Sequence, residues 1–320
     1  MSKAVKIWII IAASLVLIGS IIFTVAMSIL KWDFSNLSTV KYETATHEIK
    51  VTFSDISVFT YTADIVFLPS DSAEAYVVCH EPKNLRNSVY VENGTLVIKT
   101  DDTRKWYEHI GITLDTPKIT VYMPIGKYGA LSVKSSTGDI DIPEKFSFKS
   151  IDISLSTGNV KCSATVSEHI KATGSTGDMS FENVTLKSLD ISVSTANIYL
   201  KNFACENDIK IHVTTGDVTL TGGSCKNLTS DGSTGDITLN GVVASGKISI
   251  ERDTGDVTLN RCDAGELFLL TDTGDISGHL LSGKIFIADS NTGNVKTPMP
   301  TGESICKAVS DTGDIKFTVE

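Results

Sequence analysis

Several chemistries are missing from this chain before any of it is placed in space. None of its six cysteines falls in a Cys-x-x-Cys pair, so a zinc ribbon or a thioredoxin-like redox site has no basis. His47, His80, His109, His169, His212 and His279 share no common register and no His-x-x-x-His spacing, which removes the helical metalloprotease arrangement. Lysines and arginines are scattered and the formal net charge is −10, a balance that excludes nucleic acid as a partner. No basic run adjoins the apolar N-terminal stretch, so a polybasic lipid-headgroup site is absent too. No nucleophile, base and orienting group share a spacing, and the chain is expected to be non-enzymatic.

What the sequence does have is a period. Thr137, Thr157, Thr176, Thr195, Thr215, Thr234, Thr254, Thr273, Thr292 and Thr312 recur every 19 or 20 residues, as Thr-Gly-Asp or a near variant. A fixed short period is the mark of a solenoid. The sixth and fourth residues before each Thr are mostly apolar, as in Leu131 and Val133 or Ile248 and Ile250. Beyond the triplet the apolar positions are the third and fifth, as in Ile140 and Ile142 or Val257 and Leu259. Each half has the period of a strand with one buried face. The parity switches across the triplet, and a straight strand would then expose half its apolar set.

The triplet is therefore read as a corner. Gly138, Gly158, Gly177, Gly216, Gly235, Gly255, Gly274, Gly293 and Gly313 make the bend, where glycine allows positive φ and close backbone approach. Ala196 replaces Gly once, at a corner expected to need closeness more than positive φ. The reading is an all-β fold, a parallel β-helix or β-solenoid of about ten rungs over residues 131–320, with either handedness open. Helical solenoids are excluded by the period of two, and β-propellers by blades that need about 40 residues each.

Residues 7–30 carry no charged side chain and are long enough to span a bilayer. Lys3 and Lys6 precede them, which favours a cytoplasmic tail at residues 1–6, a transmembrane helix, and the bulk of the chain outside the cytoplasm. A cleaved signal peptide is the alternative, with Thr24-Val25-Ala26 as a cleavage site, although the apolar run exceeds an ordinary signal core. Residues 31–130 hold irregular strand-like runs with turns such as Asn93-Gly94, and are placed to cap the solenoid. Arg104, Trp106 and Tyr107 form the densest basic-aromatic cluster there and are the candidate ligand contacts, against a packed cap loop.

An anchor, irregular strands, the segment Ile119-Thr120-Val121-Tyr122-Met123-Pro124 and then Leu131-Ser132-Val133-Lys134-Ser135-Ser136-Thr137-Gly138-Asp139-Ile140 with its many successors resemble the bacterial β-strand-repeat family labelled "putative adhesin". The likeness covers most of residues 40–320. It implies a β-helical protein of the cell envelope and transfers no binding residues.

The third triplet position stacks Asp139, Asn159, Asp178, Asn197, Asp217, Asp236, Asp256, Asp275, Asn294 and Asp314. Carboxylates about 5 Å apart repel by about 1 kcal/mol in water, so each needs relief. Acceptance of corner amides by hydrated side chains is the structural solution. Calcium between rungs is the chemical one, with Asp217, Asp236, Asp256 and Asp275 as its candidates. Cys162 and Cys306 fall on buried parity, Cys79 and Cys262 lack an evident partner, and Cys205 and Cys225 lie on neighbouring rungs within reach of a bridge. The exposed Thr column could form a flat array like that of ice-binding β-helices, but β-propensity and turn hydrogen bonds explain it equally. The last rung, ending at Glu320, is expected to leave an open edge for self-association.

Together these features predict an extracytoplasmic membrane-anchored module that binds an envelope polymer or protein, or that serves the envelope structurally. The alternative is a carbohydrate-active β-helix enzyme, which would need two carboxylates converging across a cleft.

Overall fold

The computed structural model describes residues 2–33, 40–102, 104 and 115–320. A 27-residue helix, α1 (Lys3–Ile29), starts at Ser2, whose hydroxyl accepts the Val5 amide. At 1.5 Å per residue it is about 40 Å long, enough to cross a membrane. Ser14, Ser20 and Thr24 donate their hydroxyls to the carbonyls four residues back, which satisfies them without water. The helix begins at Lys3, four residues before the uncharged stretch.

The capping region contains β1 (Tyr42–Ile49), β2 (Asp55–Thr62), β3 (Asp64–Pro69), β4 (Ala75–Pro82), β5 (Asn87–Glu92), β6 (Thr95–Thr100) and β7 (Lys118–Met123). Two of these strands already form a solenoid rung. β2 pairs in parallel with the strand Lys127–Thr137 and sets Thr62 opposite Thr137, while β3 pairs with Ile140–Ile142. Thr62-Ala63-Asp64 is thus an additional corner. β6 and β7 extend both ladders by another level, still parallel.

There the direction reverses. β5 is antiparallel to β6 across Asn93-Gly94, both at positive φ, β4 is antiparallel to β7, and β1 is antiparallel to β4. The reversal ends the parallel stack, and Val77, Cys79, Leu96, Ile98, Val121 and Met123 fill that end of the core. Both positive-φ turn residues are the types that a tight hairpin requires.

From residue 127 onward each rung is strand, corner, strand. Leu131, Ile151, Ile170, Leu189, Ile209, Leu228, Ile248 and Leu267 stack in register as one buried column before the corner. Ile140, Val160, Met179, Ile198, Val218, Ile237, Val257 and Ile276 form the matching column after it. The bend at each corner keeps both columns inside despite the change of parity, which is the all-β solenoid expected from the sequence.

The tail departs from sequence order. The strand Ile305–Thr312 lies between Val257–Thr273 and Ile285–Ser290, and Ile315–Val319 lies between Ile276–Leu280 and Val295–Lys296. The last rung in the chain is therefore the second to last in space. This corrects the expected open edge: among the described residues the free edge belongs to residues 285–296. Glu320 is held one level in, its amide donating to the Leu280 carbonyl at 3.0 Å and its carboxylate pairing with Arg261 at 2.8 Å. The physical cause is burial. Cys306, Ala308, Ile315 and Phe317 are fully enclosed between two rungs, whereas Ile285, Ile287 and Val295 are exposed.

Candidate functional site

Each corner from Ala63 to Gly274 is held by two hydrogen bonds running in opposite senses. The glycine amide of one rung donates to the Thr carbonyl of the next, as Gly235 does to Thr254 at 2.9 Å. In return, the amide of each third-position residue donates to the side-chain Oδ1 of the rung before. The chain of acceptors is Asp64, Asp139, Asn159, Asp178, Asn197, Asp217, Asp236, Asp256, Asp275 and Asp314, at 2.7–3.0 Å, and its last donor is the amide of Asn294. Asp64 was not part of the sequence ladder, and Asn294 follows Asp314 because of the rung order.

The corner glycines meet two constraints together. Eight of the nine have φ between +126° and +155°, and a Cβ on Gly235 would lie 2.2 Å from the Gly216 carbonyl oxygen. Ala196 lies outside the positive-φ residues. The same is true of Gly293, on the outermost rung, so its glycine is needed for closeness: a Cβ there would meet the Gly313 oxygen at 1.9 Å.

Asp217, Asp236, Asp256 and Asp275, the cation candidates, are exposed at successive corners, each with Oδ1 already accepting the following amide. Among the described residues no three His, Cys, Asp or Glu side chains gather as a metal site would require. Asn159 also donates its side-chain amide to Asp139 at 3.2 Å, and Asn294 to Asp314 at 3.3 Å, which eases the stacking of neighbouring acids.

Arg104 grips Asp102 through Nε at 2.9 Å and Nη2 at 2.7 Å in a partly buried fork. Trp106 and Tyr107, its companions in the candidate ligand cluster, lie outside the described residues. A groove of about 340 Å³ opens elsewhere in the cap, lined by Ile49, Val51, Phe53, Ala75, Pro124 and Tyr128 with Lys50 and Glu74 at its polar side. Tyr128 donates its hydroxyl to the Pro124 carbonyl at 2.6 Å, and burial raises its pKa.

All six cysteines are buried free thiols, including Cys205 and Cys225. Burial pushes the thiols of Cys79, Cys162, Cys225 and Cys306 up to about 12, so they are inert structural groups.

Three buried polar groups escaped the sequence reading. Glu81 accepts from the backbone and side-chain amides of Asn87 at 2.7 and 2.6 Å in the cap. Lys284, 2% exposed, donates to Asp263 at 2.6 Å, the Ala264 carbonyl at 2.8 Å and Ser282 at 2.9 Å. Arg252 points inward over Gly232, where a Cβ would lie 2.1 Å from Nη1, and donates to the Val213 carbonyl at 3.2 Å. Its Nε and Nη2 are buried without a partner. Burial lowers the Arg252 pKa, while Asp231, Asp217 and Asp253 oppose that shift. The one signal available beforehand was a Gly at 232, where neighbouring rungs place Val193 and Val213.

The outward positions before the corner change character along the stack. Asp152, Lys171, Asp190 and Lys210 are successive register partners of alternating sign. Nearer the tail the ring of Phe268 lies between the ammonium groups of Lys247 at 4.7 Å and Lys307 at 5.1 Å. Beyond it Ile285, Ile287 and Ile305 are exposed.

Residues 53–239 and 205–320 match the model of a family described as Toastrack DUF4097, which together spans most of the chain and accords with the resemblance noted in its repeats. Among solved structures, a "putative lipid binding protein" from Parabacteroides distasonis is 18% identical over 86% of this chain and 97% of its own, with a TM-score of 0.47. A "putative adhesin" from the same species is 11% identical over 87% and 98%, at 0.46. Another from Bacteroides fragilis is 14% identical over 87% and 97%, at 0.39. No curated protein matches the chain in sequence.

Proposed function

The chain belongs to the Toastrack DUF4097 family, and from that premise we propose that it is a non-enzymatic module, anchored in the cell membrane by α1 and displaying its solenoid outside the cytoplasm to an envelope polymer or protein. The observation that carries this reading is the division of labour between corner and face. Corner acids, which a glycosidase would need free and converging, each accept a backbone amide from the next rung. The flanking face instead offers fixed rows of side chains at a spacing of about 4.8 Å, first alternating in charge and then, past Thr229 and Ser249, setting Phe268 and Ile287 on either side of Lys307. Lys3 and Lys6, at the start of the helix and before its uncharged stretch, support an N-inside orientation.

Two measurements test it. Immobilised residues 40–320 should retain an envelope polysaccharide or protein, and should do so less well as salt screens the Asp152 to Lys210 row. Retention of none would overturn the binding role, and release of new reducing ends would replace it with hydrolysis. A Ser156→Cys chain in intact cells should react with a membrane-impermeant maleimide; labelling only after lysis would overturn the orientation.

A further inference from the structure

We propose that residues 305–320 form an exchangeable rung, and that two copies of this chain trade it, each inserting the segment into the other's tail. The slot that receives it lies between residues 266–280 and residues 285–296, and its shape is specific. Phe317 enters the recess over Gly278, its register partner, and Thr312 aligns with Thr273. An identical segment from a second copy satisfies every one of these contacts, so exchange costs no interaction within the slot.

Three features favour the second copy. The segment is out of sequence order: Thr292 follows Thr273 by 19 residues, the ordinary rung spacing, yet residues 305–320 part the two levels. The connector, residues 297–304, must also turn back by one level, while Pro298 and Pro300 bias Thr297 and Met299 toward extended backbone. Fully extended, eight residues reach about 26 Å, whereas a facing copy's slot is about two rung spacings away, roughly 10 Å along the stack. Finally, the outermost rung is an unpaired edge with Ile285, Ile287 and Val295 exposed, and Met299 beside it is 85% exposed. Tail-to-tail exchange brings two such edges together and covers both.

The experiment uses the full chain in detergent. Thr273 and Thr312 are exposed register partners across the slot, and the native thiols are buried, so a short bismaleimide will report introduced cysteines. Chains carrying Thr273→Cys and one tag are co-expressed with chains carrying Thr312→Cys and another. Exchange predicts a covalent product bearing both tags within a dimeric species, and replacing Pro298 and Pro300 by Gly should reduce that product several-fold. A chain with both substitutions reports the insertion itself, linking within one molecule where the segment sits in its own slot and between two where it has been traded. If that chain links internally while the mixed pair yields no doubly tagged product, exchange is overturned. It is overturned equally if the double variant does not link at all, or if the mixed product forms undiminished without the prolines, since plain edge-to-edge contact would then suffice.

Discussion

Phe317 occupies a recess that exists because residue 278 has no side chain: a Cβ on Gly278 would lie 2.4 Å from Cδ1 and Cε1 of the ring. Their rungs are neighbours in space although 39 residues apart in sequence. Gly278→Val should force the ring out and destabilise the tail by about 1–3 kcal/mol, and Phe317→Ala should cost about 3–5 kcal/mol through the cavity it leaves. Urea denaturation of the single and double variants measures both. The double variant should fall short of the sum, and strict additivity would show that the two residues do not share this space.

Gly235 and Gly241 separate two demands on glycine. Both have positive φ, but only Gly235 would carry its Cβ into a backbone oxygen, and Gly241 has nothing within 4 Å. Gly235→Ala is expected to cost more than about 2 kcal/mol, from strain and overlap together. Gly241→Asn should cost less than about 1 kcal/mol, since Asn tolerates left-handed backbone. Equal losses in thermal melts would refute the steric account of the corner.

The corner acids are predicted to matter as acceptors rather than as charges. Asp236→Ala leaves the Asp256 amide without its side-chain partner and should cost about 1 kcal/mol, while Asp236→Asn keeps an oxygen in place and should be close to neutral. Amide hydrogen exchange at Asp256 should rise in the first variant and not in the second.

Asp263 supplies a test by acidity. Burial raises its pKa, but hydrogen bonds from Lys284 and Ser282 and the Lys284 charge outweigh that and lower it overall. A carboxylate depressed in the folded state stabilises above its unfolded value near 4 and loses that contribution as the pH falls through the folded value. The chain should therefore lose stability below about pH 4 at this pair, and Asp263→Asn should flatten that part of the curve. At pH 7 Asp263→Ala should cost about 3–5 kcal/mol by leaving the enclosed Lys284 ammonium unpaired.

The thiols offer a final check on packing. With four of them near 12 and all six buried, alkylation at pH 8 should be negligible until denaturant is added. Rapid labelling of Cys205 and Cys225 in the native chain would contradict their placement.

The corners were legible because glycine and the alternation of apolar residues report on the same bend. Other features were hidden for identifiable reasons. Thr62-Ala63-Asp64 lacks the glycine and stands 75 residues before Thr137, so its place in the stack follows from pairing across a long excursion. The tail order was invisible because Thr292 keeps the period; the fit of Phe317 over Gly278 is a matter of size, and periodicity carries no size. Arg252 stands where other rungs carry Leu155, Val193 and Val213 or small residues such as Ser135, Thr271 and Ser310, and only the Gly beneath it betrays the space.

The one-way run of corner side chains gives the solenoid a polarity that matters while it is being made. Each finished level offers a ready acceptor to the level that comes next, so growth away from the cap is templated step by step. At the tail this rule stalls, for Asn294 finds its acceptor on Asp314, which is synthesised 20 residues later. Until residues 305–320 have emerged, the outermost level is a strand waiting for the piece beneath it, and completion of this end marks a chain translated at least that far.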